Sequence, residues 1–186
     1  MIPRRTILPI IVILLCASLQ ARAQNLSVST NAVDWANFGT ANAELSAAVG
    51  RHWSVNISAR YNPWTFGKGP HCRQNRVRGA AAGARWWPWN VYSGWWVGAR
   101  GQWEEYNRGG IRSPRTEEGD AVGAALSAGY SLMLHPNVNV EFGAGLWGGW
   151  HRYTVYSCPS CGKVEEQGSG PFFLPSDLLV SLVFTF

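Results

Sequence analysis

Four residues whose side chains could do chemistry lie in two separate stretches of the sequence. Cys158 and Cys161 form a CxxC motif, and His71 stands beside Cys72. In an exported protein, two cysteines at this spacing favour a local disulfide. The same thiolates can also bind zinc, which takes four ligands, and His71 with Cys72 would complete that set if the two stretches meet. We therefore expect a disulfide between Cys158 and Cys161, with a zinc site as the alternative.

A catalytic site would require a nucleophile, a base and an acidic partner held together. His151 is the candidate base of an enzyme that acts on lipid, but no His-x-Ser spacing marks a nucleophile beside it. The CxxC motif also lacks the surrounding βαβ pattern of thioredoxin-like enzymes. We therefore predict a non-enzymatic protein with no catalytic residues, and a lipid-directed enzyme is the alternative.

The segment that begins the chain, residues 1–23, is typical of a secretory signal peptide. Two arginines precede an apolar run over residues 7–19, and the small residues Ala21 and Ala23 form a cleavage site. The run of about 13 apolar residues is shorter than the roughly 20 that a membrane-spanning helix needs. The sequence therefore predicts export, cleavage near Ala23, and one mature domain over residues 24–186.

The charge of the chain gives little support for a nucleic-acid partner. The formal net charge is +5, and it falls to about +2 without the three arginines of the predicted signal peptide. Two basic stretches, RQNRVR at residues 73–78 and RGGIRSPR at residues 108–115, match no phosphate-cradling or nucleic-acid motif. These stretches could contact an anionic lipid or a protein partner, and we predict no binding of nucleic acid.

Apolar and polar residues alternate along most of the mature chain, which predicts β-strands. In one strand Trp53, Val55 and Ile57 share a face, and polar residues occupy the other. The eight predicted strands cover residues 26–33, 41–49, 53–61, 76–87, 92–106, 121–134, 138–156 and 176–186. No window of the mature chain reaches the ~18 apolar residues of a membrane helix. The sequence therefore predicts an all-β fold, an eight-stranded antiparallel barrel with both termini at one end.

The connections between the predicted strands alternate between short and long. Those after the second, fourth and sixth strands are tight turns with Gly, Pro or Asn, and the others are longer. Outer-membrane barrels show this asymmetry, with periplasmic turns at one end and extracellular loops at the other. We predict a transmembrane barrel that lies in the outer membrane and contacts its lipid.

The many Gly and Ala residues within the strands predict a narrow, filled interior. An eight-stranded barrel has room inside for little more than side chains, and small residues leave space there for charged groups. Charges in so narrow a lumen must be paired. The candidate interior charges are Glu44, Arg60, Arg78, Arg100, Glu104 and Glu141. We therefore predict a plugged, salt-bridged lumen, and a narrow channel is the alternative.

Aromatic residues are predicted to form two girdles, because their amphipathic rings favour the headgroup level of a membrane. The girdle at the short-turn end comprises Trp53, Trp87, Trp89, Tyr92, Trp95 and Phe186. The girdle at the long-loop end comprises Tyr61, Trp64, Trp103, Tyr106 and Trp150. The terminal Phe186 also fits the signal by which the outer-membrane assembly machinery recognises barrels, so the last strand is predicted to face lipid and close the sheet.

Four segments carry a resemblance to a known family. They are RYNPWTF at residues 60–66, EYNRGGI at residues 105–111, SAGYSLMLHPNVNVEFGAGL at residues 127–146 and YSCPSCG at residues 156–162. Over nearly all of its mature part, the chain resembles a family of small, uncharacterised outer-membrane barrels known as a domain of unknown function. Members of that family are often encoded beside fimbrial or surface-adhesin assembly genes. The resemblance therefore implies a role in a fimbria-type assembly on the surface of a Gram-negative cell.

Overall fold

The computed structural model describes residues 26–69, 72–111, 113–160 and 162–186, and most of them form β-strands. The strands are β1 (Leu26–Asn31), β2 (Ala41–Ala48), β3 (Trp53–Asn62), β4 (Thr65–Phe66), β5 (Arg73–Trp86), β6 (Gly94–Gly109), β7 (Thr116–His135), β8 (Val138–Tyr156) and β9 (Val164–Thr185). One short helix, α1 (Ala32–Ala36), follows β1. Among the described residues, no helix is long and apolar enough to cross a membrane.

The strands form one closed antiparallel sheet. Each wall strand pairs with the next one along the chain, β3 pairs directly with β5, and β1 pairs with β9 to close the cylinder. The two-residue β4 pairs with the start of β5 and extends the wall there. The predicted eight-stranded antiparallel barrel is confirmed.

The two ends of the sheet lie side by side at the short-turn end of the barrel, as predicted. The backbone N–H of Phe186 donates to the carbonyl of Leu26 over 2.8 Å. The predicted contrast in connection length is only partly present, however. The connection over residues 110–115, at the opposite end, is no longer than the turn over residues 87–93. The two ends therefore differ more in how far the strands extend than in how long the connections are.

The strands at the long-loop end extend further than the alternation predicted. β7 begins at Thr116 and β9 at Val164, whereas the alternation placed these starts at residues 121 and 176. The extensions are rich in Gly and charged residues, so they carry no apolar periodicity, but their backbones pair across β7, β8 and β9. Residues that were predicted to form loops therefore lengthen the strands at the long-loop end. We call β6 to β9 the tall wall, because these strands extend further toward that end than the six-residue β1.

Side chains alternate between the outer surface and the interior along each strand. In β3, Val55 and Ile57 are exposed outside, whereas Ser54 and Asn56 are buried inside. The outward residues at the end of the chain are Leu178, Val180, Leu182, Phe184 and Phe186. The interior is polar and the outer surface largely apolar, the reverse of the usual arrangement in a water-soluble domain. The predicted assignment of the two faces is confirmed for these strands.

Three aromatic residues assigned to the girdles face the lumen instead. Trp87 packs against Tyr92 and Trp96, with ring centroids 5.8 Å and 6.3 Å away, and all three are buried. The turn after β5 holds Tyr92 at φ 65°, and its hydroxyl lies 3.4 Å from that of Ser46 inside the barrel. At the other end, Tyr106 packs against a buried interior cluster. The remaining girdle residues are exposed, namely Trp53, Trp89, Trp95, Phe186, Tyr61, Trp64, Trp103 and Trp150.

Candidate functional site

An arginine in the lumen binds two glutamates from different strands. Arg85 of β5 lies 2.7 Å from a carboxylate oxygen of Glu44 and 3.2 Å from one of Glu141. Its guanidinium also lies 4.5 Å from the centroid of the Trp96 ring. Arg85 is 5% exposed and Glu141 is 1% exposed, so these groups are almost completely withdrawn from water. Because buried charges persist only when they compensate each other, the three ions act as one unit that joins β2, β5 and β8.

A second ion cluster lies closer to the long-loop end. Glu104 of β6 lies 3.1 Å from Arg60 and 2.6 Å from Arg108, and its side chain is buried. The guanidinium of Arg108 lies 5.0 Å from the centroid of the Tyr106 ring. Glu104 thus links β6 to β3, which lies on the other side of β5 in the sheet. The positive charges of Arg60 and Arg108 offset its negative charge.

Arg78 is the predicted interior charge that the structure places elsewhere. Glu44, Arg60, Arg100, Glu104 and Glu141 face the lumen, as predicted. Arg78 lies on the outer surface, where it pairs with Glu105 and has 62% of its side chain exposed. The prediction was wrong because RGAAAGAR, from Arg78 to Arg85, carries small residues on both faces. Alternation therefore could not indicate which arginine faces inward, and Arg85 takes the interior position.

Aromatic side chains fill the lumen above the ion clusters. The Tyr106 hydroxyl donates to Glu117 over 2.7 Å. Trp147 meets Phe172 edge-on with centroids 4.7 Å apart, and the ring of His151 stacks on Phe172 at 5.5 Å. His151 therefore faces the lumen among aromatic rings.

A small cavity lies beside the ion clusters inside the barrel. This cavity of ≈140 Å³ is lined by polar groups that include Glu44 and Arg60. At ~30 Å³ each, it has room for about four or five water molecules. Glycine makes room for the Trp96 ring, since a Cβ at Gly129 would lie 2.3 Å from the carbonyl oxygen of Phe142 and 2.6 Å from that ring. Side chains of the two ion clusters and of the aromatic cluster around Trp87 therefore occupy much of the lumen.

The sequence matches one family along almost its whole length. The match covers residues 9–186 and carries the description "Protein of unknown function (DUF3575)". The chain belongs to the DUF3575 family. No curated protein matches the chain, and no solved structure does. Membership agrees with the resemblance to a domain of unknown function, and the link to fimbrial assembly stays a prediction.

The cysteines of this DUF3575 protein differ in their state. Cys158 is disulfide-bonded, whereas Cys72 is free and buried just before β5. His71 and Cys161 lie outside the described residues. Within the described part of the chain, no group of three or more His, Cys, Asp or Glu side chains is placed to hold a metal. The pairing of Cys158 with Cys161 and the zinc alternative both stay predictions.

A thiol titration of the mature protein under denaturing conditions should find one free thiol, that of Cys72. A disulfide between Cys158 and Cys161 would remove the other two thiols of the mature chain. The variant Cys158→Ser should raise the count to two, because it releases the partner cysteine. A count of three, together with one zinc per chain by atomic absorption before denaturation, would contradict the disulfide and favour the metal site.

The outer surface of this DUF3575 barrel changes from apolar to charged along neighbouring rows of paired residues. Trp103, Val122 and Trp150 lie in register on β6, β7 and β8, and all three are exposed. The next outward row toward the long-loop end holds Arg78, Glu105, Asp120 and Arg152. The apolar surface therefore ends along a line that crosses four strands.

Proposed function

We propose that this protein is a closed outer-membrane β-barrel that serves as a structural or accessory component of a cell-surface assembly. The observation that carries the proposal is the combination of a polar, ion-paired interior with an apolar outer surface. A continuous apolar surface of this extent is unfavourable in water, whereas it is the expected surface of a barrel in lipid. Lipid is therefore the proposed solvent of the outer wall.

The height of the apolar surface supports this location. On β8 the outward positions between Val138 and Trp150 are apolar or glycine. At ~3.3 Å per residue and a tilt of ~45°, this segment rises about 28 Å. The apolar band of outer-membrane barrels is ≈25 Å tall and is flanked by aromatic residues. The charged row that includes Asp120 and Arg152 would then lie at the headgroup level.

The orientation of the barrel can be tested with its two lysines. Lys68 and Lys163 are exposed at the long-loop end. A membrane-impermeant amine reagent applied to intact cells should label both, because the proposal places this end outside. The control variant Arg51→Lys adds a lysine at the short-turn end, and that lysine should react only after the membrane is opened. Labelling of the introduced lysine in intact cells, with Lys68 and Lys163 protected, would reverse the proposed orientation.

The filled lumen supports a closed barrel over a channel. The Arg85 and Glu104 ion clusters cross it, and a cluster around Trp87 occupies the short-turn end. Purified protein in a planar bilayer should therefore show no stable conductance. A reproducible open level in single-channel recordings at moderate voltage would contradict the closed lumen and favour the narrow-channel alternative.

A non-enzymatic role accords with the surroundings of the candidate base. His151 stacks on Phe172 and lies 5.1 Å from the ring of Tyr153, centroid to centroid. These contacts are those of a packed side chain, and we propose no reaction at this position. The tall wall of β6 to β9 is instead the part of the protein available to a partner. A fimbria-type assembly is the partner class that the family resemblance implies.

A further inference from the structure

One edge of the tall wall has no neighbouring strand. β8 pairs with β9 from Val164 onward, but β1 pairs with β9 only between Ser181 and Thr185. Within the described residues, the part of β9 above Leu178 therefore has a strand partner on one side only. Such an edge presents backbone N–H and C=O groups at alternate residues, ready to pair with another strand.

The side chain of Asn31 marks the point at which the barrel stops covering this edge. It donates to the carbonyl of Leu178 over 3.1 Å and accepts from the N–H of Val180 over 3.1 Å. The side-chain amide of Asn31 thus makes the two hydrogen bonds to β9 that the backbone of a further β1 residue would make. Because α1 begins directly after Asn31, the chain leaves the ladder at this point. The edge of β9 continues above it without β1.

Two prolines indicate which residues turn their N–H groups toward the open side. Pro171 and Pro175 both lie within the ladder between β8 and β9. Proline has no N–H to give, so in a strand it occupies positions whose N–H would point away from the neighbouring strand. Residues of an antiparallel strand alternate in this respect. Gln167 and Ser169 lie an even number of positions from both prolines. Their N–H groups therefore also point to the open side.

The open segment is held in an extended form before any partner binds. Glu165 lies 3.0 Å from Arg115, and Tyr153 donates to Glu166 over 2.9 Å. Residues 164–167 are exposed. A preformed strand costs less entropy to bind than a flexible loop, because its backbone is already ordered.

We propose that residues 164–170 bind an extended segment of another cell-surface protein by β-strand addition. This inference rests on the proposed function, which places the tall wall outside the cell. An extended polypeptide fits because its backbone supplies donors and acceptors at the spacing of the edge, which a lipid does not. A second copy fits poorly, since a two-fold pair of identical edges must be antiparallel whereas copies in one membrane share an orientation.

Site-specific photo-crosslinking in intact cells of the native host tests the proposal. A photoreactive amino acid is placed at position 165, 167 or 169 of the full-length chain, in three separate variants, and crosslinked peptides are mapped by mass spectrometry. We expect all three to react with one segment of one protein. The sites reached from positions 167 and 169 should lie about two residues apart, whereas position 165, at the irregularity of the ladder between Val164 and Glu166, should react with the same segment without that fixed step. Crosslinks without such order, to lipid, or to a second copy would overturn the proposal.

A proline substitution supplies the matched control. Gln167→Pro removes one open-side N–H and leaves the ladder with β8 intact, whereas Gln167→Ala keeps that N–H. With the photoreactive group at position 169, we expect Gln167→Pro to reduce crosslinking at least ~10-fold and Gln167→Ala less than ~2-fold. Equal yields would refute strand addition. Loss of the heat-modifiable folded form in Gln167→Pro would show that β8 uses this N–H, which would also refute the assigned edge.

Lysine labelling separates the failure of this inference from that of the proposed function. If Lys68, the other exposed lysine of the long-loop end, is protected in intact cells, the proposed orientation is wrong and the edge is not at the cell surface. If Lys68 is labelled but the crosslinks show no order, the membrane location stands and only strand addition fails.

Discussion

Replacing Arg85 with alanine should lower the free energy of unfolding by about 3–5 kcal/mol, because it leaves Glu44 and Glu141 buried without a counter-charge. The measurement is a urea titration of the protein folded into lipid vesicles, followed by the heat-modifiable shift on a gel. The effect should be among the largest of any single substitution, since one arginine compensates two carboxylates.

Arg78→Ala is the matched control for this experiment. Both arginines lie on β5 and both are ion-paired, but Arg78 pairs with Glu105 on the outer surface with much of its side chain exposed. Exposed pairs contribute about 0–1 kcal/mol, so Arg78→Ala should change the unfolding free energy by less than about 1 kcal/mol. Equal losses in the two variants would show that Arg85 is not the buried centre of the lumen.

A compensated variant separates the loss of charge balance from the loss of packing. Arg85→Met combined with Glu44→Gln and Glu141→Gln removes the charges together and keeps most of the side-chain volume. Replacing a complete buried ion group by neutral residues is often neutral or stabilising. This triple variant should therefore recover most of the stability lost in Arg85→Ala. No recovery would show that the specific geometry of the ions, and not charge balance, stabilises the barrel.

Leu126→Arg should lower the stability of the barrel in lipid by about 2–4 kcal/mol if the proposed membrane location is correct. Leu126 points outward from β7, is 67% exposed, and pairs with Leu146 in the middle of the apolar surface. An arginine there would place its charge in the hydrocarbon region. The same vesicle titration measures the loss of unfolding free energy.

Thr154→Arg is the control for the membrane-facing substitution. Thr154 follows Arg152 on the outer surface of β8, beyond the apolar rows. Arginine near the interface costs only about 0–1 kcal/mol. If the outer wall contacted water, both variants would stay within about 0.5 kcal/mol of the parent protein. That result for Leu126→Arg would contradict the membrane location.

Strand alternation could be predicted well where one face is apolar and the other polar. In β3, Ile57 and Asn56 differ so clearly in polarity that their faces follow from the pattern alone, and the structure confirms them. The pattern failed where that contrast is missing. Arg78 and Arg85 bound a run of Gly and Ala, and the residues between Val164 and Pro171 are mostly polar or Gly. In both places the structure depends on backbone pairing with neighbouring strands. This pairing cannot be read from the polarity of the side chains.

The aromatic residues show a second limit of the pattern. Trp95 and Trp96 are adjacent, and alternation requires that they face opposite sides, but the side that Tyr92 takes depends on the turn that precedes β6. The sequence therefore predicts that aromatic residues gather near the short-turn end. Only the packing of Trp87 on Tyr92 and Trp96 shows that some of them close the lumen.

The barrel itself could be predicted from the sequence alone. Strand periodicity is a local property, and an even number of strands and the closure of the sheet edges are topological constraints. The tertiary structure alone decided the interior ion partners, the height of the wall and the open edge of β9. Each depends on the register between strands that are distant in the chain. Register brings Arg85 to both Glu44 and Glu141, and it ends the pairing of β1 at Ser181 while β8 continues to Val164.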